Sequence, residues 1–221
     1  MDLSAEKIAK RIEHTLLDPK AGEDSIHRLC REALQYNFRA VCVHPCYVEL
    51  CRQQLINTNV RVATVVGFPL GANHTAVKAF EALRALSEGA RGIDMVLNIG
   101  ALKDRRLDHV VQDISAVVEQ AADFAGSEVK VIIETALLTD EEKELACSCI
   151  IRAGAHYVKT STGFAGGGAN IQDIMLLVSS LAGKAKIKAS GGISTRGQAE
   201  KLILAGADII GTSNGISLIS G

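Results

Sequence analysis

The sequence predicts an α/β protein folded as a (β/α)8 TIM barrel with an extra N-terminal helix. Eight short runs rich in Val and Ile alternate with longer amphipathic segments. Short apolar runs are the mark of buried parallel strands, and regular alternation with helices favours a closed barrel over an open doubly wound sheet. The 221 residues leave roughly 28 per βα unit, against a usual barrel of ~250, so loops are short and no lid domain is available. The chain is 48% hydrophobic but only 4% aromatic, which calls for a core of Ala, Val, Ile and Leu. Residues 1–221 are read as one barrel domain, without a Pro/Ser-rich linker or an internal repeat beyond the alternation.

Met1–Arg11 carries a charged helical pattern, expected to lie across the barrel bottom. The expected strands are His14–Leu17, Ala40–His44, Arg61–Gly67, Gly92–Asn98, Val129–Glu134, His156–Thr160, Lys186–Ser190 and Asp208–Gly211. Between them, Asp24 or Ser25 precedes a helix over Ile26–Tyr36, and Pro45 suits the first turn before Tyr47–Leu55. Asn73 is the expected cap of Thr75–Ser87, and Asp104 precedes one long helix to about Phe124. Thr139 with Glu142 reads as a capping box, Asn170 precedes Ile171–Leu181, and Thr195 precedes Gln198–Leu204. A last short helix runs from Ser213, and Gly89, Gly154 and Gly206 stand where helices should stop.

Composition excludes several function classes. A formal net charge of −1 argues against a nucleic-acid footprint. No apolar run is long enough to span a membrane, and the N-terminus does not read as a signal peptide, so a cytoplasmic protein is expected. Six cysteines at 30, 42, 46, 51, 147 and 149 lack paired Cys-x-x-Cys spacing and read as reduced thiols. The six histidines form no H-x-H or H-E-x-x-H pair, which disfavours a zinc enzyme. No metal and no cofactor are expected.

Function is sought where charge interrupts an apolar strand, because barrel enzymes act from strand ends. Asp94 sits in Gly92-Ile93-Asp94-Met95-Val96 and is costly to bury unpaired. Lys159 ends an apolar run and precedes a polar, glycine-rich turn. Lys188 shares a face with Lys184 and Lys186 by period-two alternation, those two at the solvated bottom and Lys188 near the top. Glu13 stands where the first strand begins. Each has a plainer reading: an ion-pair partner, a solvated strand-end lysine, a surface-face lysine, a helix-end residue. Together, two lysines on neighbouring strands and an aspartate converge on imine chemistry, since a second ammonium favours a neutral amine beside it. Tyr157 reads as barrel filling, Cys42 as a packed thiol that could face the cavity, and His44 and His74 as hydrogen-bonded structural groups.

Three glycine-containing turns follow the late strands: Thr160–Gly168, Ser190–Ile193 and Gly211–Gly215. Backbone N–H groups in such turns suit an anion, and barrels commonly hold phosphate there.

The sequence resembles the deoxyribose-phosphate aldolase family over essentially its whole length. The resemblance rests on Ile12-Glu13-His14-Thr15-Leu16-Leu17, Gly67-Phe68-Pro69-Leu70-Gly71-Ala72-Asn73 and Ile93–Leu102. Tyr157–Phe164, Ile187–Ile193 and Gly211-Thr212-Ser213 complete it. It implies a metal-free aldolase that reversibly cleaves 2-deoxy-D-ribose 5-phosphate to D-glyceraldehyde 3-phosphate and acetaldehyde. It implies Lys159 as the Schiff-base lysine, Asp94 and Lys188 as the proton-transfer pair, and Thr15, Thr162 and Glu13 at the substrate. Gly163, Gly191, Gly192, Ser213 and Asn214 match the phosphate cradle. The family's dimeric habit implies a homodimer. The chain departs from many relatives at Glu13 (Asp there), Asn214 (Ser) and Ser194 (Arg). Two other readings stay open: an imine-forming aldolase for a different sugar phosphate, and a phosphate-ligand-binding barrel without catalysis.

Overall fold

The structure, a computed structural model, describes residues 3–220. Eight parallel strands close into a barrel in sequence order: β1 (Ile12–Leu16), β2 (Ala40–Val43), β3 (Arg61–Val66), β4 (Gly92–Val96), β5 (Glu128–Ile132), β6 (Tyr157–Lys159), β7 (Lys186–Ser190) and β8 (Ile209–Thr212). β8 pairs back onto β1 through His14 opposite Thr212, so no edge strand is left. The expected strands are all present, most of them shortened at the top, where the chain turns into the loops.

The helices are α1 (Ala5–Ala9), α2 (Glu23–Gln35), α3 (Val48–Gln54), α4 (Thr75–Ser87), α5 (Ile99–Lys103), α6 (Leu107–Ala122), α7 (Asp140–Ala153), α8 (Ile171–Leu181), α9 (Arg196–Ala205) and α10 (Gly215–Ile219). Capping boxes open α7 at Thr139 with Glu142 and α9 at Thr195 with Gln198. Asn170 caps α8 through the N–H of Asp173 at 2.8 Å.

The long helix expected after Asp104 is present as α6, and the short α5, capped by Asn98, precedes it, with Arg105 turning the chain at φ 57° between them. Three expectations are corrected. The cap position of α4 is His74 in place of Asn73, and its side chain makes no capping bond. Asp24 and Ser25 lie inside α2, whose cap is Gly22. The N-terminal helix packs beside α10, and Arg196 at the head of α9 donates to the Leu3 carbonyl at 2.9 Å. The lower end of the barrel is filled instead by Arg39, Glu128 and Tyr157, with Arg39 donating to Glu128 at 2.7 Å. Met1, Asp2 and Gly221 lie outside the described residues.

The main aliphatic core lies between barrel and helices, from Ile8 and Val41 through Ile93, Met95, Val131 and Ile150 to Ile210. Each fully buried side chain of this kind contributes about 1.5–3 kcal/mol. Inside the barrel a small separate apolar cluster is formed by Leu17, Cys42, Ala63 and Val65, with Phe68 against them. Two glycines make room for lysines. A Cβ on Gly92 would stand 2.8 Å from Lys130 Nζ, and one on Gly211 would stand 2.9 Å from Lys188 Cε. The barrel thus sets charged side chains where branched aliphatic ones are usual.

Candidate active site

Alternation along β4 sends Ile93 and Met95 outward into the aliphatic core and Asp94 into the barrel. There Asp94 Oδ2 accepts from Lys159 Nζ at 2.8 Å and from Lys188 Nζ at 2.6 Å. Lys188 also donates to the Glu13 carboxylate. Lys130 lies beneath, its Nζ 3.2 Å from Asp94 Oδ1 and 3.3 Å from Glu13 Oε1. Arg39 Nε reaches within 3.7 Å of Glu13 from below. Three lysines and two carboxylates, all buried, form one cluster.

Burial alone would push both carboxyls up. For Asp94 the ammonium groups of Lys130, Lys159 and Lys188 outweigh it and hold the carboxyl well below the usual range. Lys130 and Lys188 do the same for Glu13. In turn, burial opposes charge on Lys188 and Lys130, but Asp94 and Glu13 outweigh it and raise both. Neutralising either carboxyl leaves three ammonium groups facing a single carboxylate in a low-dielectric interior.

Above the cluster opens a cavity of about 740 Å³. Lys159 lines it, as do Thr15, Thr162, Gly163, Gly191, Gly192, Ser213 and Asn214. Sequence-distant residues are thus brought to one wall by the barrel's closure. The backbone N–H groups of Gly163, Gly191, Gly192 and Ser213 donate to no acceptor among the described residues. Free N–H groups around a cavity form a cradle for an anion. Asn214 spends its own N–H on Thr212 Oγ1 at 2.9 Å, so only its side chain remains for a ligand. Ser194 also lines the cavity.

Asp94, Lys188 and Glu13 do not line the cavity. For Asp94 this is one contact below Lys159. The Glu13 carboxylate is drawn down to Lys188, Lys130 and Arg39.

The family model described as DeoC/LacD family aldolase matches residues 8–217. The chain belongs to the DeoC/LacD aldolase family. It is 53% identical to a deoxyribose-phosphate aldolase of Bdellovibrio bacteriovorus over 97% of this chain and 96% of that protein. It is 51% identical to deoxyribose-phosphate aldolase 1 of Bacillus licheniformis over the same shares of each. Among solved structures it resembles the tetrameric deoxyribose phosphate aldolase of Aeropyrum pernix, with a TM-score of 0.92 and 36% identity over 98% of this chain and 91% of that one.

Two residues of this aldolase's site escape a reading of the sequence alone. Lys130 bears the same signal as Asp94, a charge inside Val129-Lys130-Val131-Ile132, and that signal could have found it. Glu134, just past β5, is buried and accepts the N–H of Thr162 at 3.1 Å; it ends the apolar run Val131-Ile132-Ile133 as Lys159 ends its own, and that signal could have found it. Cys42 lies beside the charged cluster, packed with Leu17, Ala63 and Val65 and not on the cavity wall, and burial pushes its thiol up. Tyr157 fills the lower barrel and donates to Glu128 at 3.3 Å. His44 bonds the Leu17 carbonyl at 3.0 Å, whereas His74 is exposed. Lys184 and Lys186 are exposed and Lys188 is not. Among the described residues no cluster of three His, Cys, Asp or Glu side chains could hold a metal ion, and no helix is long and apolar enough to cross a membrane.

Proposed function

We propose that this chain is a carbon–carbon lyase that reversibly cleaves 2-deoxy-D-ribose 5-phosphate to D-glyceraldehyde 3-phosphate and acetaldehyde through a Schiff base at Lys159. One observation carries the reading. Lys159 meets a cavity rimmed by free N–H groups while its Nζ touches Asp94, which also holds Lys188. The family membership and the named relatives support the same substrate.

The steps follow from the geometry. Attack requires Nζ of Lys159 as a free amine. The amine adds to C1 of the open-chain sugar, and the carbinolamine loses water with a proton from the Asp94–Lys188 pair. The resulting iminium draws in the electrons of the C2–C3 bond as the C3 hydroxyl gives its proton to that pair. D-glyceraldehyde 3-phosphate leaves, and the proton returns to C2 of the enamine. One water hydrolyses the iminium, releasing acetaldehyde and restoring the lysine. The N–H cradle holds the phosphate and fixes C1 over Nζ. No step calls for a metal or a cofactor.

Five buried free thiols suit the reducing cytoplasm. The outward Phe80 of α4 and Met175 of α8 suit a homodimer, with light scattering as the check. Borohydride with acetaldehyde should add mass at Lys159, and Lys159→Leu should lose both the adduct and cleavage in a coupled assay. An adduct elsewhere, or cleavage surviving in Lys159→Leu, would overturn the assignment. Trapping without cleavage of this sugar would mean another substrate.

A further inference from the structure

Glu134 is a buried carboxylate that belongs to none of the ion pairs above. It is 2% exposed, and its backbone sits in the left-handed region at φ 54° and ψ 69°, where residues other than glycine are strained. Among the described residues no ammonium or guanidinium pairs with it. Its Oε2 takes both donors of Thr162, the N–H at 3.1 Å and the hydroxyl, while Oε1 is buried without a partner. A strained backbone and a desolvated carboxylate are thus maintained to hold one threonine of the cavity wall.

A hydroxyl carries one proton and two lone pairs. The Thr162 proton is committed to Glu134, and one lone pair accepts the N–H of Phe164 at 3.0 Å. What Thr162 offers to the cavity is the remaining lone pair. Thr15, on the same cavity wall, commits its proton in the same way, to the Glu13 carbonyl at 2.9 Å.

We propose that Glu134 is a positioning residue for substrate selection: it keeps Thr162 an acceptor only, so the site favours substrates that bring a hydroxyl proton to that point. This rests on the aldolase reading above. Thr162 lies between Lys159, which takes C1, and Gly163 of the phosphate cradle, so the hydroxyl selected is the one on C4. In the synthetic direction that is the 2-hydroxyl of the acceptor aldehyde. An acceptor lacking it leaves the lone pair desolvated and unpaired.

The test is aldol synthesis from acetaldehyde with D-glyceraldehyde 3-phosphate or with 3-oxopropyl phosphate, the deoxy acceptor that lacks that hydroxyl. Wild type should favour the hydroxylated acceptor in kcat/KM by at least about tenfold. In Glu134→Met, which has no oxygen to take the Thr162 proton, the preference should fall below about threefold, mostly through loss with the hydroxylated acceptor, while Lys159 still traps acetaldehyde. Thr162→Val should lose the preference as well, and adding Glu134→Met to it should change the ratio no further. Equal losses with both acceptors, or an unchanged ratio, would overturn the proposal. A measurement on wild type stands whether or not the variant folds. The 2-fluoro acceptor, which can accept but not donate, should saturate wild type no more readily than the deoxy acceptor does. Saturation at the same low concentration as the hydroxylated acceptor would mean that Glu134 is a carboxylic acid and Thr162 a donor, and the proposal fails. If wild type joins acetaldehyde to neither aldehyde, the aldolase reading falls too; if it joins both equally, only this proposal falls.

Discussion

Lys130→Met isolates what a buried ammonium contributes beneath the reacting lysine. Methionine keeps most of the volume, so the change removes charge and leaves little cavity. Lys130 is fully buried, and its Nζ stands 3.2 Å from Asp94 Oδ1, an oxygen with no hydrogen-bond partner, and 3.3 Å from Glu13 Oε1. Removing one partner of a buried ion pair costs about 3–5 kcal/mol. Lys188 repels Lys130, so relief of that repulsion offsets part of the loss and favours the lower end. At about 2–4 °C per kcal/mol for a chain of this size, Tm should fall by about 6–12 °C. Lys186→Met, at an exposed lysine of the barrel's lower end, should change it by under about 2 °C. Activity should respond as well. Burial pushes the Asp94 carboxyl up and Lys130 leads the ammonium groups opposing it, so the variant's acid limb should move to higher pH. Paired thermal melts and pH–rate profiles decide the matter. A Tm within about 1 °C of wild type together with an unmoved acid limb would refute the account of the cluster.

Two further outcomes follow from the same cluster. Gly211→Ala brings a Cβ to 2.9 Å from Lys188 Cε and 3.1 Å from Ser190 Cβ. Overpacking of this kind costs about 1–3 kcal/mol, and displacement of Lys188 from Asp94 should lower kcat at least about tenfold with KM little changed; an unchanged kcat would remove Lys188 from proton transfer. In pH melts, the lowered carboxyls of Asp94 and Glu13 stabilise above about pH 4 and lose that contribution as pH falls through their folded values. The raised lysines Lys188 and Lys130 stabilise below about pH 10.5 and lose theirs as pH rises beyond it. Tm should therefore hold roughly level from about pH 5 to 10, and a steep loss inside that window would contradict the assignment.

Much of this protein is local and therefore legible in the chain. Val- and Ile-rich runs mark strands, Thr139 and Thr195 mark helix starts through three-residue patterns, and Asp94, Lys159 and Lys188 stand out as charges in apolar company. That the eight strands run parallel follows from alternation, because each helix returns the chain to the same end of the sheet, whereas closure is fixed by β8 pairing onto β1. What pairs with what is not local. The reach of Glu13 across to Lys188 and down to Lys130 and Arg39 depends on barrel closure, which brings residues 13 and 188 together. So do the empty positions at Gly92 and Gly211, whose missing side chains can be recognised as space for lysines only when the opposing strand is known. Glu134 reaches Thr162 because β5 and β6 run side by side in register, Ile132 opposite Lys159, which sets the following turns against each other. The barrel, the reacting lysine and the glycine turns can be read from the chain because near neighbours carry periodicity and local chemistry. The five-membered charge cluster and the orientation of the Thr162 hydroxyl emerge only on folding, because electrostatics and hydrogen bonding act through space between residues far apart in the chain.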